Sequence, residues 1–110
     1  MIEDALRQLV ERFNRKADRT PSIQEELAGV SRSITLKLAQ GPSYTIDLRD
    51  GHLTNLRPGA NGGADLTIAT DAATFEGLLA KEIGPMKALV TRKLTIEGSL
   101  EDKLLFRKLL

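Results

Sequence analysis

Few side chains in this sequence could carry out chemistry, and their spacing does not bring catalytic groups together. His52 is the only histidine and there is no cysteine, which leaves too few ligands for a zinc site and no Cys/His catalytic pair. His52 directly follows Asp50-Gly51, a two-residue hairpin signal. Residues at turn tips are usually solvated, so we expect His52 to lie on the surface.

Two pairs of acidic residues could be considered as catalytic carboxylates. Asp47 and Asp50 fall on the polar face of a predicted strand and in the turn after it. Glu101 and Asp102 fall in the first turn of a predicted helix, where acidic side chains interact favourably with the helix dipole. Neither pair is a convincing acid–base dyad, and no nucleophile accompanies them. The sequence therefore predicts a protein that is not an enzyme and needs no metal or cofactor.

A glycine-rich segment, GANGG at residues 59–63, could suggest a phosphate-binding loop. Such a loop needs a strand before it and a helix N-terminus after it, usually with Lys-Ser/Thr. Here the segment leads into ADLTIAT, which alternates like a strand. An ordinary connection between two strands is the better interpretation.

A basic group near the C-terminal end leaves two interpretations open. Its members are Lys87, Arg92, Lys93, Lys103, Arg107 and Lys108. They could form a solvated face, with cations at helix C-termini, or they could make transient contact with anionic membrane headgroups. Nucleic acid is a weaker candidate, because three Phe, one Tyr and no Trp leave few aromatic platforms for stacking bases.

Length and composition indicate one ordinary globular domain over residues 1–110, with a net charge of +1. The charge is uneven, because residues 80–110 carry seven Lys/Arg against four Asp/Glu. The start, MIEDALRQLVERF, has acidic residues in its first turn and no unbroken apolar stretch, so we do not expect a signal peptide. No run approaches the roughly 20 apolar residues of a membrane span. These features favour a cytoplasmic location.

Hydrophobic periodicity predicts an α+β fold. Apolar residues recur at helical spacing over residues 3–17, and a short second helix ends near Gly29. The period then changes to two, which predicts four strands in hairpin succession. Two helices follow, over residues 72–83 and from Pro85, then the strand KLTIE and a last helix with a capping box at Ser99 and Asp102. The predicted order is ααββββααβα: a five-stranded, mostly antiparallel sheet with helices on one face.

Residues 64–110 as a unit resemble the C-terminal half of the sterol carrier protein 2 family. That pattern runs from Ala-Asp and an alternating strand to a helix with a Phe, a Pro-x-x-Ala helix, a Gly-Lys-Leu-x-Ile strand, a Gly and a Leu-rich last helix. The matching residues are Ala64, Asp65, Leu66, Ile68, Phe75, Leu78, Pro85, Ala88, Lys93, Leu94, Ile96, Gly98, Leu104 and Leu109. Residues 31–57 fit the first three strands more loosely. Arg92 and Lys81 depart from the pattern, because the family usually has glycine at these places.

The resemblance implies a sheet covered by helices with an apolar tunnel between them. Such a tunnel would bind a fatty acid, a fatty acyl-CoA, a sterol-like molecule or another apolar lipid without chemical conversion. The pool of expected lining residues is Leu66, Ile68, Phe75, Leu78, Leu79, Ile83, Met86, Leu89, Leu94, Ile96, Leu100, Leu104 and Phe106. Arg92 is the expected partner of a lipid headgroup at the rim.

Two other interpretations stand beside lipid transfer. Leucine stripes at helical spacing are ordinary core in most proteins, so periodicity alone does not indicate a cargo. The resemblance also leaves room for an accessory or dimerisation module that presents lipid or quinone intermediates to a partner enzyme. An empty, rigid pocket of 300–400 Å³ would cost roughly 10 kcal/mol at about 24 cal/mol per Å³. We therefore expect either a ligand in the tunnel or helices that close over it.

Overall fold

The computed structural model describes residues 2–60 and 62–109, and of residues 106–109 only the backbone. In this part of the chain the elements follow the predicted order. They are α1 (Ile2–Arg19), α2 (Pro21–Leu27), β1 (Ser31–Leu38), β2 (Ser43–Arg49), β3 (His52–Pro58), β4 (Leu66–Thr70), α3 (Ala72–Leu79), α4 (Pro85–Val90), β5 (Leu94–Gly98) and α5 (Leu100–Leu109).

The five strands form one mixed sheet in the order β3-β2-β1-β4-β5. The central strand β1 pairs antiparallel with β2 and parallel with β4, and β5 pairs antiparallel with β4. Successive residues of a strand alternate between the two faces, so paired apolar residues share one face. Ile34 accordingly lies beside Ile46 and Leu66, and all three are buried. The predicted alternation and the α+β fold are confirmed.

The glycine-rich segment connects β3 to β4 and crosses the polar face of the sheet. It leaves the β3 edge and must pass β2 and β1 before it reaches β4. The Thr45 hydroxyl donates to the Gly59 carbonyl over 2.8 Å, and the Asp65 N–H donates to the Ser33 carbonyl over 2.9 Å. Thr35 and Thr45 are buried on this face. The segment is thus a structural connection between strands, as predicted.

Helix α1 covers the β3 end of the apolar face. Its buried residues Leu6, Phe13 and Ala17 recur at the spacing of one helical face. The Asn14 side-chain amide donates to the Leu53 carbonyl over 2.9 Å and its oxygen accepts from the Leu53 N–H over 2.8 Å. Because β3 is an edge strand, this pair of hydrogen bonds satisfies backbone groups that the sheet leaves open.

Helix α3 is shorter than predicted. The spacing predicted a helix over residues 72–83, but the helix ends at Leu79. The Glu82 N–H donates to the Gly77 carbonyl over 2.9 Å, and Lys81 takes a positive φ of 61°. These two features form a Schellman motif, which stops a helix. Ile83 folds back on Gly77, where an added Cβ would come within 2.5 Å of the Ile83 Cδ1 atom.

The start of α3 is capped by Asp71. The Asp71 carboxylate accepts from the Thr74 N–H over 2.7 Å and from the Thr74 hydroxyl over 2.8 Å. These hydrogen bonds favour the ionised form, so they hold the pKa of Asp71 below its ordinary value of 3.8.

The lowered pKa of Asp71 makes the stability of the fold depend on pH. A group whose pKa is depressed on folding stabilises the protein above its unfolded-state pKa and loses that contribution as the pH falls through the folded-state pKa. We expect wild type to be more stable than Asp71→Asn at pH 7, because an amide can cap the helix but cannot ionise. The difference should shrink below pH 3.8. Thermal unfolding of both proteins across this range measures it, and a difference independent of pH would contradict the assignment.

Candidate functional site

The structure places the expected lining residues in three environments. Six of them are buried: Leu66, Ile68, Phe75, Leu78, Leu79 and Leu94. Three are half-buried against the core: Ile83, Leu89 and Ile96. Three are exposed: Met86, Leu100 and Leu104. The side chain of Phe106 lies outside the described residues. The six buried residues come from β4, α3 and β5 and belong to one core with the rest of the apolar sheet face.

Two clefts among the described residues are large enough for a small ligand, and neither is an enclosed tunnel. The first, of about 490 Å³, lies between α1 and α3. Its walls carry four charged side chains, Glu11, Arg12, Arg15 and Glu76, and Leu79 is its one member of the expected lining pool. The first cleft thus combines charged and apolar walls and includes one residue of the expected lining pool.

The second cleft, of about 330 Å³, lies between the start of β1 and helix α5. Val30, Leu104 and Leu105 form its apolar part. The charged side chains of Glu26, Arg32 and Glu101 also line it. We call this the α5 cleft. Among the expected residues whose side chains the structure describes, Leu104 alone lines it.

An ion pair between Arg32 and Asp102 joins the α5 cleft to the sheet. The Arg32 Nε atom donates to the Asp102 Oδ1 atom over 2.7 Å. The hydrogen bond and the negative charge of Asp102 raise the pKa of Arg32 above its usual value. The Asp102 N–H also donates to the Ser99 hydroxyl over 3.0 Å, which confirms one half of the predicted capping box. The reciprocal half is absent from the described hydrogen bonds, since the Asp102 carboxylate pairs with Arg32.

Helix α5 turns one acidic residue inward and two leucines outward. Asp102 is buried, whereas Leu100 is 75% exposed and Leu104 is 51% exposed. Each leucine is two residues from Asp102, which places it about 160° around the helix axis. Leu105, on the same side as Asp102, is half-buried against the core, so α5 also packs through an apolar side chain.

Helix α4, at the other end of β5, also exposes two apolar side chains. Ala88 is fully buried, whereas Met86 is 68% exposed and Val90 is 76% exposed. Both apolar residues are again two positions from the buried residue and point away from the core. The helices before and after β5 both contact this strand, and both present apolar side chains to solvent.

Arg92 and Lys81, which depart from the family pattern, occupy equivalent positions after α4 and α3. Each has a φ of 61°, the left-handed conformation that favours glycine. After α4, the Arg92 N–H donates to the Leu89 carbonyl and the Lys93 N–H donates to the Ala88 carbonyl, which is a second Schellman motif. A residue with a Cβ pays roughly 1–2 kcal/mol for this conformation. Arg92 is exposed and lines neither cleft.

The acidic residues and the histidine have structural partners. Asp47 is buried and accepts from the Arg57 Nη1 atom over 3.2 Å, whereas Asp50 accepts from the Gly29 N–H over 2.8 Å. The carboxylates of Asp47 and Asp50 therefore have different hydrogen-bond partners. His52 is partly exposed, with its Nε2 atom 2.6 Å from the Asp18 Oδ1 atom.

The described residues contain no cluster of three or more His, Cys, Asp or Glu side chains that could hold a metal ion. Within the same residues, every helix is too short or too polar to cross a bilayer.

The sequence matches the model of the SCP-2 sterol transfer family over residues 10–110, and the chain therefore belongs to this family. No curated protein sequence matches the chain.

Solved structures show the same fold at low sequence identity. The solution structure of palmitated SCP2L2 from Aedes aegypti is 20% identical, with a TM-score of 0.62, and the match covers 91% of this chain and 90% of that one. A UbiJ-SCP2 ubiquinone synthesis protein is 14% identical, with a TM-score of 0.61, over 93% of this chain and 84% of that one. The sec-alkylsulfatase Pisa1 from Pseudomonas sp. is 21% identical, with a TM-score of 0.64, over 79% of this chain. This chain spans only 14% of that enzyme.

The Arg32–Asp102 pair should determine how firmly α5 is held. We expect Asp102→Asn to lower the free energy of unfolding by about 2 kcal/mol, because a hydrogen bond between charged groups is weakened and Arg32 loses its countercharge. Urea unfolding at neutral pH measures the change. Glu97→Gln, at an exposed position of β5, is the control and should stay within about 0.5 kcal/mol of wild type. Equal effects of the two substitutions would show that the pair does not hold α5.

Proposed function

We propose that this chain binds one apolar lipid molecule and carries it without chemical conversion. The observation that carries the proposal is the outward apolar face of α5, where Leu100 and Leu104 are exposed beside the α5 cleft. Membership of the SCP-2 sterol transfer family supports it. The proposed ligands are a long-chain fatty acid, a fatty acyl-CoA, a sterol-like molecule or another apolar lipid.

The proposed path of the lipid follows β5 from α5 to α4. It begins in the α5 cleft, whose 330 Å³ is near the lower end of the range of ligand pockets, about 300–1,000 Å³. It continues past the half-buried Ile96 toward Leu89 and Ile83. The five residues of β5 span about 16 Å, which suits an extended acyl chain. Each CH2 group removed from water would contribute about 0.8 kcal/mol.

The charges around the α5 cleft favour a lipid whose headgroup stays outside it. Glu26 and Glu101 line the cleft, and Arg32 is already paired with Asp102. A carboxylate placed there would meet two like charges and one neutralised cation. We therefore keep Arg92, exposed at the far end of β5, as the proposed partner of an acidic headgroup.

A second candidate function is an accessory module that presents lipid or quinone intermediates to a partner enzyme, or that dimerises. The structural likeness to a UbiJ-SCP2 ubiquinone synthesis protein favours it, as does the likeness to a small part of a sec-alkylsulfatase. In this case the outward leucines of α5 would contact a protein.

The lipid proposal predicts that a charge in the α5 cleft weakens binding. We expect Leu104→Glu to bind a fluorescent long-chain fatty acid at least tenfold more weakly than wild type, because an unpaired carboxylate would lie against the acyl chain. Tenfold corresponds to about 1.4 kcal/mol. Val90→Glu adds the same charge at an exposed apolar position outside the cleft and is the matched control. Fluorescence titration of delipidated protein gives all three affinities.

Two results would decide against the lipid proposal. One is a wild-type protein that binds no fatty acid, acyl-CoA, sterol or quinone in the titration. The other is an equal loss in Leu104→Glu and Val90→Glu. Capture of a partner enzyme that Leu104→Glu abolishes, with no lipid bound by either protein, would instead support the second candidate.

A further inference from the structure

We infer that α4 and the turns on either side of it form a docking surface for an anionic phospholipid bilayer. We call this the α4 surface. Its residues are Lys81, Met86, Lys87, Val90, Arg92 and Lys93, and all six are exposed. The inference goes beyond lipid binding, because docking on a membrane does not require a lipid in the α5 cleft.

The apolar part of the α4 surface consists of Met86 and Val90, which are 68% and 76% exposed. Met86 and Val90 are separated by one helical turn and stand opposite the buried Ala88. The protein core does not use either side chain. Two neighbouring apolar side chains at the tip of a short helix can enter the boundary between headgroups and acyl chains.

The basic part flanks these two side chains in the sequence. Lys81 precedes α4, Lys87 lies within it, and Arg92 and Lys93 follow it. None of the ion pairs found among the described residues involves any of these four cations. Glu82 is the only acidic residue between positions 81 and 93. Four cations beside an apolar tip are complementary to a surface of lipid phosphates.

A bilayer fits the α4 surface better than a protein does. Helix α4 has six residues and is only about 9 Å long, whereas a stable protein interface buries about 800 Å² on each partner. A second copy of this chain would bring eight cations together on a symmetric contact, which is repulsive. A bilayer needs only a small insertion and adds attraction from every nearby cation.

Sedimentation of the full chain with vesicles tests the inference. We expect binding to vesicles of phosphatidylglycerol and phosphatidylcholine, little binding to pure phosphatidylcholine, and a decrease with salt. Val90→Glu should reduce the partition coefficient at least tenfold, and Leu104→Glu should leave it unchanged. Lys87→Glu should weaken binding several-fold more than Arg12→Glu, which makes the same change in net charge on α1.

The Arg92→Gly substitution tests whether Arg92 serves vesicle binding or the stability of the fold. Because glycine relieves the left-handed strain, we expect the melting temperature to rise by about 4 °C while vesicle binding falls. A fall in both would assign Arg92 a structural role and count against the inference.

Three outcomes would overturn the membrane inference. They are equal binding to anionic and neutral vesicles, equal effects of Lys87→Glu and Arg12→Glu, and a dimer in light scattering that Val90→Glu dissociates. Fatty acid titration of the same variants keeps the two proposals distinguishable. We expect Val90→Glu to bind vesicles weakly and the fatty acid as wild type does. We expect Leu104→Glu to bind vesicles as wild type does and the fatty acid weakly.

Discussion

The orientation of the last helix depends on the ion pair between Arg32 and Asp102. Arg32 projects from the apolar face of the central strand, beside the row of residues that forms the core. A cation at this position needs a countercharge, and Asp102 supplies it over 2.7 Å. Once Asp102 faces the sheet, the helical period turns Leu100 and Leu104 toward solvent. The exposed leucines of α5 thus lie on a helix that contacts the sheet through an ion pair.

The two ends of β5 then have complementary proposed roles. At one end, α5 and the start of β1 form a cleft in which an acyl chain could be buried. At the other end, α4 presents Met86 and Val90 within a set of exposed cations. A carrier must exchange its ligand with a membrane, and a path along β5 that ends beside a docking surface would let lipid move between the two with little exposure to water.

Local patterns predicted the fold well because each signal has a local physical cause. Alternation predicted the strands, and Asp50-Gly51 predicted a hairpin whose two residues have φ of 50° and 85°. The end of α3 was missed because the left-handed conformation that ends this helix favours glycine, and the sequence has Lys81 at that position. The role of Arg32 was missed because its partner is 70 residues away in the sequence. For α5 the spacing of Leu100, Asp102 and Leu104 would have indicated that Asp102 and the leucines lie on opposite sides of the helix. The sequence analysis interpreted Asp102 only as a capping residue.

Native mass spectrometry of the chain purified without detergent tests the central claim most directly, namely that the apolar surface around β5 serves a lipid. The account predicts a species with one additional mass that solvent extraction removes and that a long-chain fatty acid, an acyl-CoA, a sterol or a quinone restores at one molecule per chain. The same species should be depleted in Leu104→Glu and retained in Val90→Glu. A spectrum that shows only the bare chain, before and after addition of each of these lipids, would contradict the account.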